Sequence, residues 1–471
     1  MKADLQPYIN LSSYTGRPVA ILGLGKSGLS AAHALKDHGA DVHAWDDDPE
    51  KRTLAQENGI SLVNLSTSDM TNIPELILSP GIPQTFPSPH PIVTKAKKAG
   101  CKIICDIELL ARADPKAAYI GITGTNGKST TTALIGHIFK NIGKRSTIGG
   151  NIGEPALTLT AMGPTGVYAL EVSSYQLELI SSNIFNVAIL LNITPDHLDR
   201  HGGMSGYIAA KKSIFVKQKP RGLAIVNIDD KDCREIYNNL LATKKIVIPI
   251  SVKEPVTGGI YLEKGWLVDN RSGNKKYILD LRKVKTLSGQ HNAQNAAAAY
   301  AATSVFVDIK SPNPQKIIAD AMSTFPGLVH RQELIRTIKK CRFVDDSKAT
   351  NAEATAQALA TNKNIIWIAG GREKTGGISS LISFFPHVKH AFLIGEAAEN
   401  FSKILKGKIP YSISHNLENA VLEAAALGNL ETQPCVVLLS PACSSFDQFS
   451  SFESRGEVFR KVVLGLVESP V

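Results

Sequence analysis

The fold is decided by one stretch, Gly121-Ile122-Thr123-Gly124-Thr125-Asn126-Gly127-Lys128-Ser129-Thr130. An apolar run at residues 118–122 predicts a strand, and apolar residues recur at helical spacing after Lys128. In such a turn, backbone amides and the lysine bind phosphates, and the serine hydroxyl suits Mg²⁺. The strict phosphate-loop pattern requires glycine where Ile122 stands. We therefore predict a variant ATP loop of its own length at the start of a helix.

A second glycine loop, Gly23 to Gly28, lies near the amino terminus. It follows a predicted strand at residues 19–22 and opens a predicted helix at residues 26–37, as a dinucleotide-binding turn does. Asp46 follows the next predicted strand, at residues 41–45, where a carboxylate is expected to meet a ribose hydroxyl. Any diphosphate satisfies the same amides. The loop therefore predicts nucleotide binding and leaves a nicotinamide-dependent dehydrogenase open.

Two further predicted strands end in polar residues that suit a metal ion. Glu171 lies near the end of the apolar run 167–172, and the stretch 192–201 follows the apolar run 187–191. Open α/β sheets bind ligands at the carboxyl ends of their strands. Oxygen ligands beside ATP phosphates favour Mg²⁺, and no Cys or His pair has zinc-like spacing. No Ser-His-Asp or Cys-His arrangement has to be invoked for catalysis.

Short apolar runs alternate with helical patterns along the chain, which predicts an α/β protein with parallel sheets covered by helices. A chain of 471 residues is expected to form two or three domains. We place boundaries near residue 106 and beside Pro326-Gly327, a plausible linker. The prediction is an N-terminal Rossmann-like nucleotide-binding domain (1–106), a central P-loop-type ATPase domain (107–327) and a C-terminal Rossmann-like α/β domain (328–471). The strands predicted in the last domain are residues 343–344, 365–369, 391–394 and 436–439.

The composition predicts a globular protein without membrane insertion. It is 43% hydrophobic and 20% charged, and no apolar stretch reaches the roughly eighteen residues of a membrane helix. The amino terminus lacks the features of a signal peptide, and six scattered cysteines fit a reduced, cytoplasmic setting. The formal charge of +10 is dispersed, without the aromatic–basic interleaving of single-strand binders. It indicates a solvated basic surface that would also suit anionic small substrates, and we expect no nucleic-acid partner.

These motifs resemble the Mur ligase family of peptidoglycan synthesis over nearly the whole chain. The loop 123–129 is similar to that family's ATP loop, which accounts for Ile122. The segments 346–351, 439–449 and 452–456 resemble the member that adds D-glutamate. The resemblance implies an ATP-dependent ligase that joins D-glutamate to UDP-N-acetylmuramoyl-L-alanine through an acyl phosphate, with Mg²⁺ as cofactor. The first glycine loop would then hold uridine diphosphate rather than NAD, and we expect a monomer.

The resemblance also implies site residues. The implied catalytic residues are Lys128, Glu171, His197 and Lys211. The implied metal ligands are Ser129, Glu171, His197 and, if carbamylated, Lys211. For Lys211 a solvated helix lysine stays the alternative. The residues implied for ATP are Gly124, Thr125, Asn126, Gly127, Lys128, Ser129, Thr130, Asn292, Asn295, Arg331 and Asp346. Those implied for the uridine nucleotide are Gly25, Lys26, Ser27, Asp46, Ser79, Gly81 and Asn151. Those implied for D-glutamate are Thr350, Lys374, Ser445 and Phe446.

Three alternatives stay open. A nicotinamide-dependent dehydrogenase would use the loop at Gly23 but leaves the ATP loop without a role. A folylpolyglutamate synthase belongs to the same family, but the segment 440–456 argues against it. A nucleic-acid-binding ATPase would use the basic surface, but its charge is dispersed and helicase-like motifs are missing from the sequence.

Overall fold

The computed structural model describes residues 8–287, 289–307, 313–373 and 376–466. The chain forms two compact units, Met1–Phe325 and Pro326–Val471. The first unit holds two sheets and the second unit holds one. The prediction of an α/β protein is confirmed. The domain boundaries near residues 106 and 327 stay predictions.

The first sheet has four parallel strands in the order β2-β1-β3-β4. Its strands are β1 (Pro18–Leu22), β2 (Asp41–Trp45), β3 (Glu75–Leu78) and β4 (Lys102–Ile104). The accompanying helices are α1 (Lys26–Asp37), α2 (Pro49–Glu57), α3 (Pro91–Lys98) and α4 (Asp106–Ala113). The apolar run of β1 is buried from Val19 to Leu22, which places the Gly23 loop at the carboxyl end of a central strand.

The second sheet has nine strands in the order β13-β12-β11-β10-β9-β8-β5-β7-β6. Its strands are β5 (Ala118–Thr123), β6 (Ser146–Gly150), β7 (Val167–Glu171), β8 (Phe185–Leu190), β9 (Gln218–Asn227), β10 (Ile246–Ser251), β11 (Ile260–Glu263), β12 (Trp266–Asp269) and β13 (Lys276–Asp280). Its helices are α5 (Lys128–Asn141), α6 (Ser174–Leu179), α7 (Leu198–His201), α8 (Met204–Lys212), α9 (Lys231–Ala242), α10 (Gln290–Ser304) and α11 (Pro314–Ser323).

Strand β5 lies between β8 and β7, and this position organises the ATP loop. Ile122 of β5 pairs with Glu171 of β7, and Thr123 pairs with Leu190 of β8. All three strands are parallel, so their carboxyl ends meet at one edge of the sheet. Helix α5 buries Leu134, Ile135, Ile138 and Phe139, and the alanine-rich α10 lies against it. The apolar face predicted after Lys128 is thus confirmed.

The third sheet, in the second unit, has six strands in the order β14-β15-β19-β16-β17-β18. Its strands are β14 (Glu333–Ile338), β15 (Cys341–Asp345), β16 (Ile365–Gly370), β17 (Val388–Ile394), β18 (Tyr411–His415) and β19 (Cys435–Leu439). Its helices are α12 (Ala352–Thr361), α13 (Ala398–Leu405), α14 (Leu417–Asn429) and α15 (Phe452–Gly465). Separate apolar clusters cover the two faces of this sheet.

Two sheets differ from the prediction of parallel strands. Strands β11, β12 and β13 are joined by antiparallel pairs, and β14 is antiparallel to β15. These strands lie toward one edge of their sheets and are only partly buried, so their apolar runs are short. The helices in the described ranges are all too short or too polar to cross a membrane. No disulfide joins the six cysteines, which are all described and buried.

Candidate functional site

The first glycine loop borders a cavity of about 470 Å³ in the first unit. The loop closes tightly, because a Cβ at Gly28 would lie 1.8 Å from the carbonyl oxygen of Gly23. The cavity is lined by most of the residues predicted for the uridine nucleotide, namely Gly25, Lys26, Ser27, Asp46, Ser79 and Gly81. The structure thus brings these six residues together, and their contact with a nucleotide stays a prediction.

Asp46 holds the rim of this cavity in place. Its carboxylate accepts hydrogen bonds from the backbone amides of Leu24, at 2.7 Å, and Asp48, at 2.9 Å. The ammonium of Lys51 lies 3.9 Å from the same carboxylate. Lys51 and His90 also line the cavity, and the sequence patterns did not indicate either residue. Lys51 adds positive charge that suits a diphosphate.

The ATP loop joins β5 to α5 and is held from two sides. The backbone amide of Asn126 donates to Asn192 Oδ1 at 2.8 Å, and a Cβ at Gly127 would lie 2.2 Å from Asn295 Oδ1. Only glycine suits position 127, because the φ of Gly127 is 85° and lies in the left-handed region. The Lys128 ammonium donates to the carbonyl oxygens of Gly124 and Thr125, at 2.9 and 2.7 Å. The loop therefore carries a fixed cation at its centre.

Lys211 contacts the same loop from α8. Its ammonium nitrogen donates to the Gly124 carbonyl at 2.8 Å, and only 2% of the residue is exposed. The alternative of a solvated helix lysine is therefore wrong. Burial lowers the pKa of the Lys211 amine well below its ordinary value, and the nearby charge of Lys128 lowers it further. A buried amine with a lowered pKa thus lies beside the predicted phosphate site.

Glu171 ends β7, next to the ATP loop. The residue is 3% exposed, and its Oε1 accepts a hydrogen bond from the side-chain amide of Asn151 at 2.8 Å. Its Oε2 is buried without a hydrogen-bond partner among the described residues. A buried carboxylate oxygen without a partner is costly, and a divalent cation would satisfy it. Asn151, which was predicted for the uridine nucleotide, therefore contacts Glu171. It does not line the cavity beside the first glycine loop.

His197 precedes α7 with a left-handed backbone, at φ 52°. About half of its side chain is exposed, and its Nε2 lies 3.4 Å from Asp196 Oδ2. Burial is the largest cause that lowers the pKa of His197; Asp196 opposes it, and the charges of Lys128 and Lys211 add to it. A neutral ring is the form that binds a metal ion.

The remaining predicted ATP residues of the first unit lie on α5 and α10. Ser129 and Thr130 are buried in the first turn of α5. Asn295 Oδ1 accepts a hydrogen bond from Thr131 at 3.3 Å, and Asn295 Nδ2 donates to Asn292 Oδ1 at 3.4 Å. The two asparagines are therefore fixed against the helix that begins at the ATP loop.

In the second unit, most of the predicted residues follow strand ends of the third sheet, whereas Arg331 precedes β14. Asp346 comes directly after β15, and its carboxylate accepts a hydrogen bond from the Ser440 hydroxyl at 2.7 Å. Burial raises the pKa of this carboxyl group, and the nearby charge of Arg331 acts in the opposite direction. The backbone amide of Ala442 donates to the carbonyl of Ala349 at 3.0 Å. The loops that carry Arg331, Asp346 and Thr350 thus meet the loop after β19.

The predicted D-glutamate residues divide between buried and exposed positions. Ser445 is 2% exposed, whereas the neighbouring Phe446 is 64% exposed. Thr350 lies one residue before the N-cap of α12. Lys374 lies outside the described residues. Contact of these residues with an amino acid stays a prediction.

One group of possible metal ligands in the described ranges was not predicted, although it lies next to Arg331 and Asp346 in the sequence. It consists of His330, Glu333 and Asp345 in the second unit. His330 Nδ1 lies 2.7 Å from Asp345 Oδ2, and Glu333 pairs with Arg460 at 2.6 Å. These pairs explain the cluster without a cation.

Several contacts at the first-unit site had no sequence signal. Asn192 donates to Gln294 Oε1 at 2.8 Å, and the hydroxyls of Thr125 and Tyr207 lie 3.1 Å apart. His201 Nε2 lies 2.9 Å from the hydroxyl of Ser174. Each contact joins residues at least 27 positions apart, so spacing in the sequence does not reveal them.

Two family models match the chain. The model described as "Mur ligase MurD-like, N-terminal domain" matches residues 17–105, and the one described as "Mur ligase middle domain" matches residues 122–303. Together they cover both glycine loops and most of the first unit.

Curated proteins match over almost the full length. The protein named UDP-N-acetylmuramoylalanine--D-glutamate ligase from Caulobacter sp. (strain K31) is 48% identical over 97% of this chain and 98% of its own length. The protein of the same name from Rhodospirillum rubrum is 48% identical over 98% of this chain and 97% of its own length. Among solved structures, UDP-N-acetylmuramate-alanine ligase from Thermotoga maritima matches with a TM-score of 0.57 and 19% identity, over 95% of this chain and 99% of that one. This last match shows a shared fold.

Proposed function

The chain belongs to the Mur ligase family, and we propose that it joins D-glutamate to UDP-N-acetylmuramoyl-L-alanine in an ATP-dependent reaction of peptidoglycan precursor synthesis. The observation that carries this proposal is the 48% identity, over 97% of the chain, to a protein named UDP-N-acetylmuramoylalanine--D-glutamate ligase. The geometry agrees with it, because the first unit offers a nucleotide-sized cavity, a phosphate loop and a buried carboxylate.

In the first step, the alanyl carboxylate attacks the γ-phosphate of ATP, so that an acyl phosphate forms and ADP leaves. Two anions approach each other in this step, so positive charge must already be in place. The Lys128 ammonium, held by the carbonyls of Gly124 and Thr125, supplies it. Backbone amides of the loop and the buried hydroxyls of Ser129 and Thr130 lie at the same helix start. The loop therefore stabilises phosphate charge without large rearrangement.

We propose Mg²⁺ as the cofactor, bound by Ser129, Glu171, His197 and a modified Lys211. The unpartnered Oε2 of Glu171 supports this choice, and Asn151 orients the carboxylate through its other oxygen. The lowered pKa of His197 keeps its ring neutral, as a ligand must be. Bound Mg²⁺ would neutralise charge on the phosphate oxygens. Oxygen-rich donors of this kind suit magnesium better than zinc.

We also propose that Lys211 is carbamylated. A neutral amine is the form that adds to carbon dioxide, and burial holds the Lys211 pKa well below its ordinary value. The nitrogen forms a bond to the carbon of carbon dioxide and loses a proton, so the product is an anion beside Lys128, where a buried ammonium would be repelled. The modification thus turns a buried cation into a ligand for the metal ion.

The carbamate is tested by comparing Lys211→Ala with Lys212→Ala, an exposed neighbour on the same helix. We expect Lys211→Ala to lose activity by about a hundredfold or more, since a ligand of the metal is removed. Acetate or propionate should restore part of that activity, because a small carboxylate replaces the missing anion. Normal activity of Lys211→Ala, or rescue by methylamine rather than by carboxylates, would contradict the modification.

In the second step, the amine of D-glutamate attacks the acyl carbon and phosphate leaves. We propose Thr350, Lys374, Ser445 and Phe446 as the residues that receive D-glutamate. The loop after β19 thus carries one exposed apolar ring, that of Phe446, and one buried hydroxyl, that of Ser445. Arg331 and Asp346 are proposed for the phosphates and ribose of ATP. The uridine nucleotide is proposed to occupy the cavity beside Gly25, Lys26 and Asp46.

The function is tested by phosphate release from ATP with Mg²⁺, UDP-N-acetylmuramoyl-L-alanine and one amino acid at a time. D-glutamate, L-glutamate, D-alanine and L-lysine are compared, and each component is omitted in turn. We expect release that needs both the muramoyl nucleotide and D-glutamate, with a product heavier by one glutamyl residue. Release that is independent of the muramoyl nucleotide would exclude this function. Folate substrates, NADH binding and stimulation by DNA would then test the three alternatives.

A cytoplasmic, monomeric enzyme of three domains completes the proposal. The six buried cysteines without disulfides suit a reducing compartment. The proposed domains keep the boundaries at residues 106 and 327, so that the nucleotide cavity falls in the first domain and the ATP loop in the second.

A further inference from the structure

His201 forms a hydrogen-bonded chain that lies next to the proposed metal ligands. Its Nδ1 is 2.9 Å from Glu178 Oε1, and its Nε2 is 2.9 Å from the hydroxyl of Ser174. The imidazole is fully buried, and the side chain of Glu178 is 25% exposed. An ionised carboxylate can only accept a hydrogen bond, so Nδ1 carries the proton toward Glu178. Nε2 and the Ser174 hydroxyl share the second hydrogen bond.

Aromatic rings hold the imidazole from both sides. The ring of Tyr175 is stacked on it at 5.3 Å, with 18° between the planes. The ring of Tyr207 lies at 5.3 Å on a tilted plane. Both hydrogen bonds and both ring contacts restrict the same side chain, so His201 has little freedom to reorient.

This chain of contacts joins the segments that carry the proposed metal ligands. Ser174 and Glu178 belong to α6, which begins three residues after Glu171. His201 is the last residue of α7, and His197 is the N-cap of that short helix. The four-residue α7 cannot hold its own position, because a single helical turn is unstable alone. Its connection to α6 through His201 therefore contributes to where His197 lies relative to Glu171, together with the ring contact between Tyr175 and His197.

Tyr207 extends the connection to the third proposed ligand. It lies on α8 with Lys211, whose ammonium is 4.6 Å from the centre of the Tyr207 ring. The Tyr207 hydroxyl reaches the hydroxyl of Thr125 in the ATP loop at 3.1 Å. His201 thus contacts elements that lead to Glu171, His197 and Lys211.

We propose that His201 is a positioning residue, which holds α6 and α7 so that Glu171 and His197 are correctly placed for a divalent cation. This inference rests on the proposed function. The Ser174–His201–Glu178 order resembles that of a hydrolytic triad. A nucleophile must be accessible to substrate, however, and Ser174 is only 4% exposed. The hydrogen bonds therefore serve orientation and not nucleophilic attack.

The test measures Mn²⁺ binding to the full-length protein by electron paramagnetic resonance, with Mn²⁺ alone and with a non-hydrolysable ATP analogue. His201→Phe keeps an aromatic ring against Tyr175 and removes both hydrogen bonds. We expect its Mn²⁺ dissociation constant to rise about tenfold or more, as is typical when a residue that orients a metal ligand is lost. His201→Gln can still reach Ser174 and should bind Mn²⁺ more tightly than His201→Phe. The KM for UDP-N-acetylmuramoyl-L-alanine should stay unchanged, while kcat falls.

His390→Phe is the matched control. His390 also places Nε2 against a serine hydroxyl, that of Ser412 at 3.0 Å, and packs on Phe392, but it belongs to the second unit. We expect this variant to bind Mn²⁺ like the wild type, even if its unfolding temperature falls as far as that of His201→Phe. Equal loss of Mn²⁺ affinity in the two variants would mean that destabilisation alone is responsible.

The outcomes separate this inference from the proposed function. If the wild type turns over D-glutamate but His201→Phe binds Mn²⁺ as tightly as the wild type does, the positioning role is wrong and the proposed function stands. If the wild type shows no D-glutamate-dependent turnover, the proposed function itself is wrong. If a fluorophosphonate labels Ser174, the serine is an accessible nucleophile and the orientation argument fails.

Discussion

Asp346 carries a carboxyl group that is almost completely shielded from water. Burial raises its pKa to about 7, although the Ser440 hydroxyl, Arg331 and the amide of Gln332 all favour the ionised form. The native state therefore binds this proton more tightly than the unfolded chain, in which the pKa is near 3.8. Stability contributed by the protonated form is complete below the unfolded pKa and is lost as pH rises through about 7.

We predict that Asp346→Asn makes the second unit less sensitive to pH. From pH 5 to pH 8, the free energy of unfolding of the wild type should fall relative to that of the variant. The fall should be at most about 3 kcal/mol, because one pKa unit corresponds to about 1.36 kcal/mol. Trp367 is fully buried in the second unit, so urea unfolding can be followed by its fluorescence in a Trp45→Phe, Trp266→Phe background.

Glu418→Gln is the control for this measurement, since Glu418 is an exposed carboxylate of the same unit. Its difference from the wild type should stay constant over the pH range. A constant difference for Asp346→Asn as well would show that the carboxyl group is ionised in the folded protein throughout.

At the scale of elements, the turn from β1 to α1 depends on the absence of side chains at particular glycines. A Cβ at Gly28 would lie 1.8 Å from the Gly23 carbonyl oxygen and 2.9 Å from Ser79 Oγ. At Gly25 a Cβ would meet nothing within 4 Å, and φ is −69°. Substitution of Gly28 therefore tests the packing of the helix, whereas substitution of Gly25 tests the access of a ligand.

We predict that Gly28→Ala destabilises the protein by about 1–3 kcal/mol, because the added methyl group forces backbone movement in a packed turn. Gly25→Ala should keep the wild-type unfolding temperature but bind the uridine nucleotide more weakly, since the methyl group occupies space beside the cavity. Thermal unfolding and calorimetric titration with UDP measure the two effects. Equal unfolding temperatures for both variants would contradict the packing argument.

A comparison of predicted and observed helices and strands shows which of them local sequence patterns can predict. Helix α1 and strand β2 have the predicted bounds, because glycine loops and charged residues surround short apolar runs. The antiparallel strands β11 to β13 were not predicted, since strands of four or five residues with partly exposed positions leave little periodicity in the sequence.

At the scale of the whole molecule, charge and apolar surface suggest how the protein behaves in solution. The formal charge is +10, and exposed apolar side chains lie on separate elements, for example Leu54 on α2, Leu241 on α9 and Leu422 on α14. Stable homodimers usually bury a contiguous apolar patch. A net positive charge also opposes self-association at low ionic strength.

We predict a monomer with a mass near 50.6 kDa, measured by light scattering after size-exclusion chromatography at several protein concentrations. The mass should not change between low and high salt, because the charges are dispersed. A mass near twice this value that persists on dilution would show a stable dimer.

Sequence patterns alone predict the α/β class, the two nucleotide loops and the strand ends that carry polar residues. These features are local, because glycine spacing, apolar runs and the residues that follow them act over a few positions. The packing of the folded chain buries Lys211 against Gly124, 87 residues away, and leaves Oε2 of Glu171 without a described partner. It also links Ser174 to Glu178 through His201. Burial and hydrogen bonding depend on which distant segments pack together, so no local pattern encodes them.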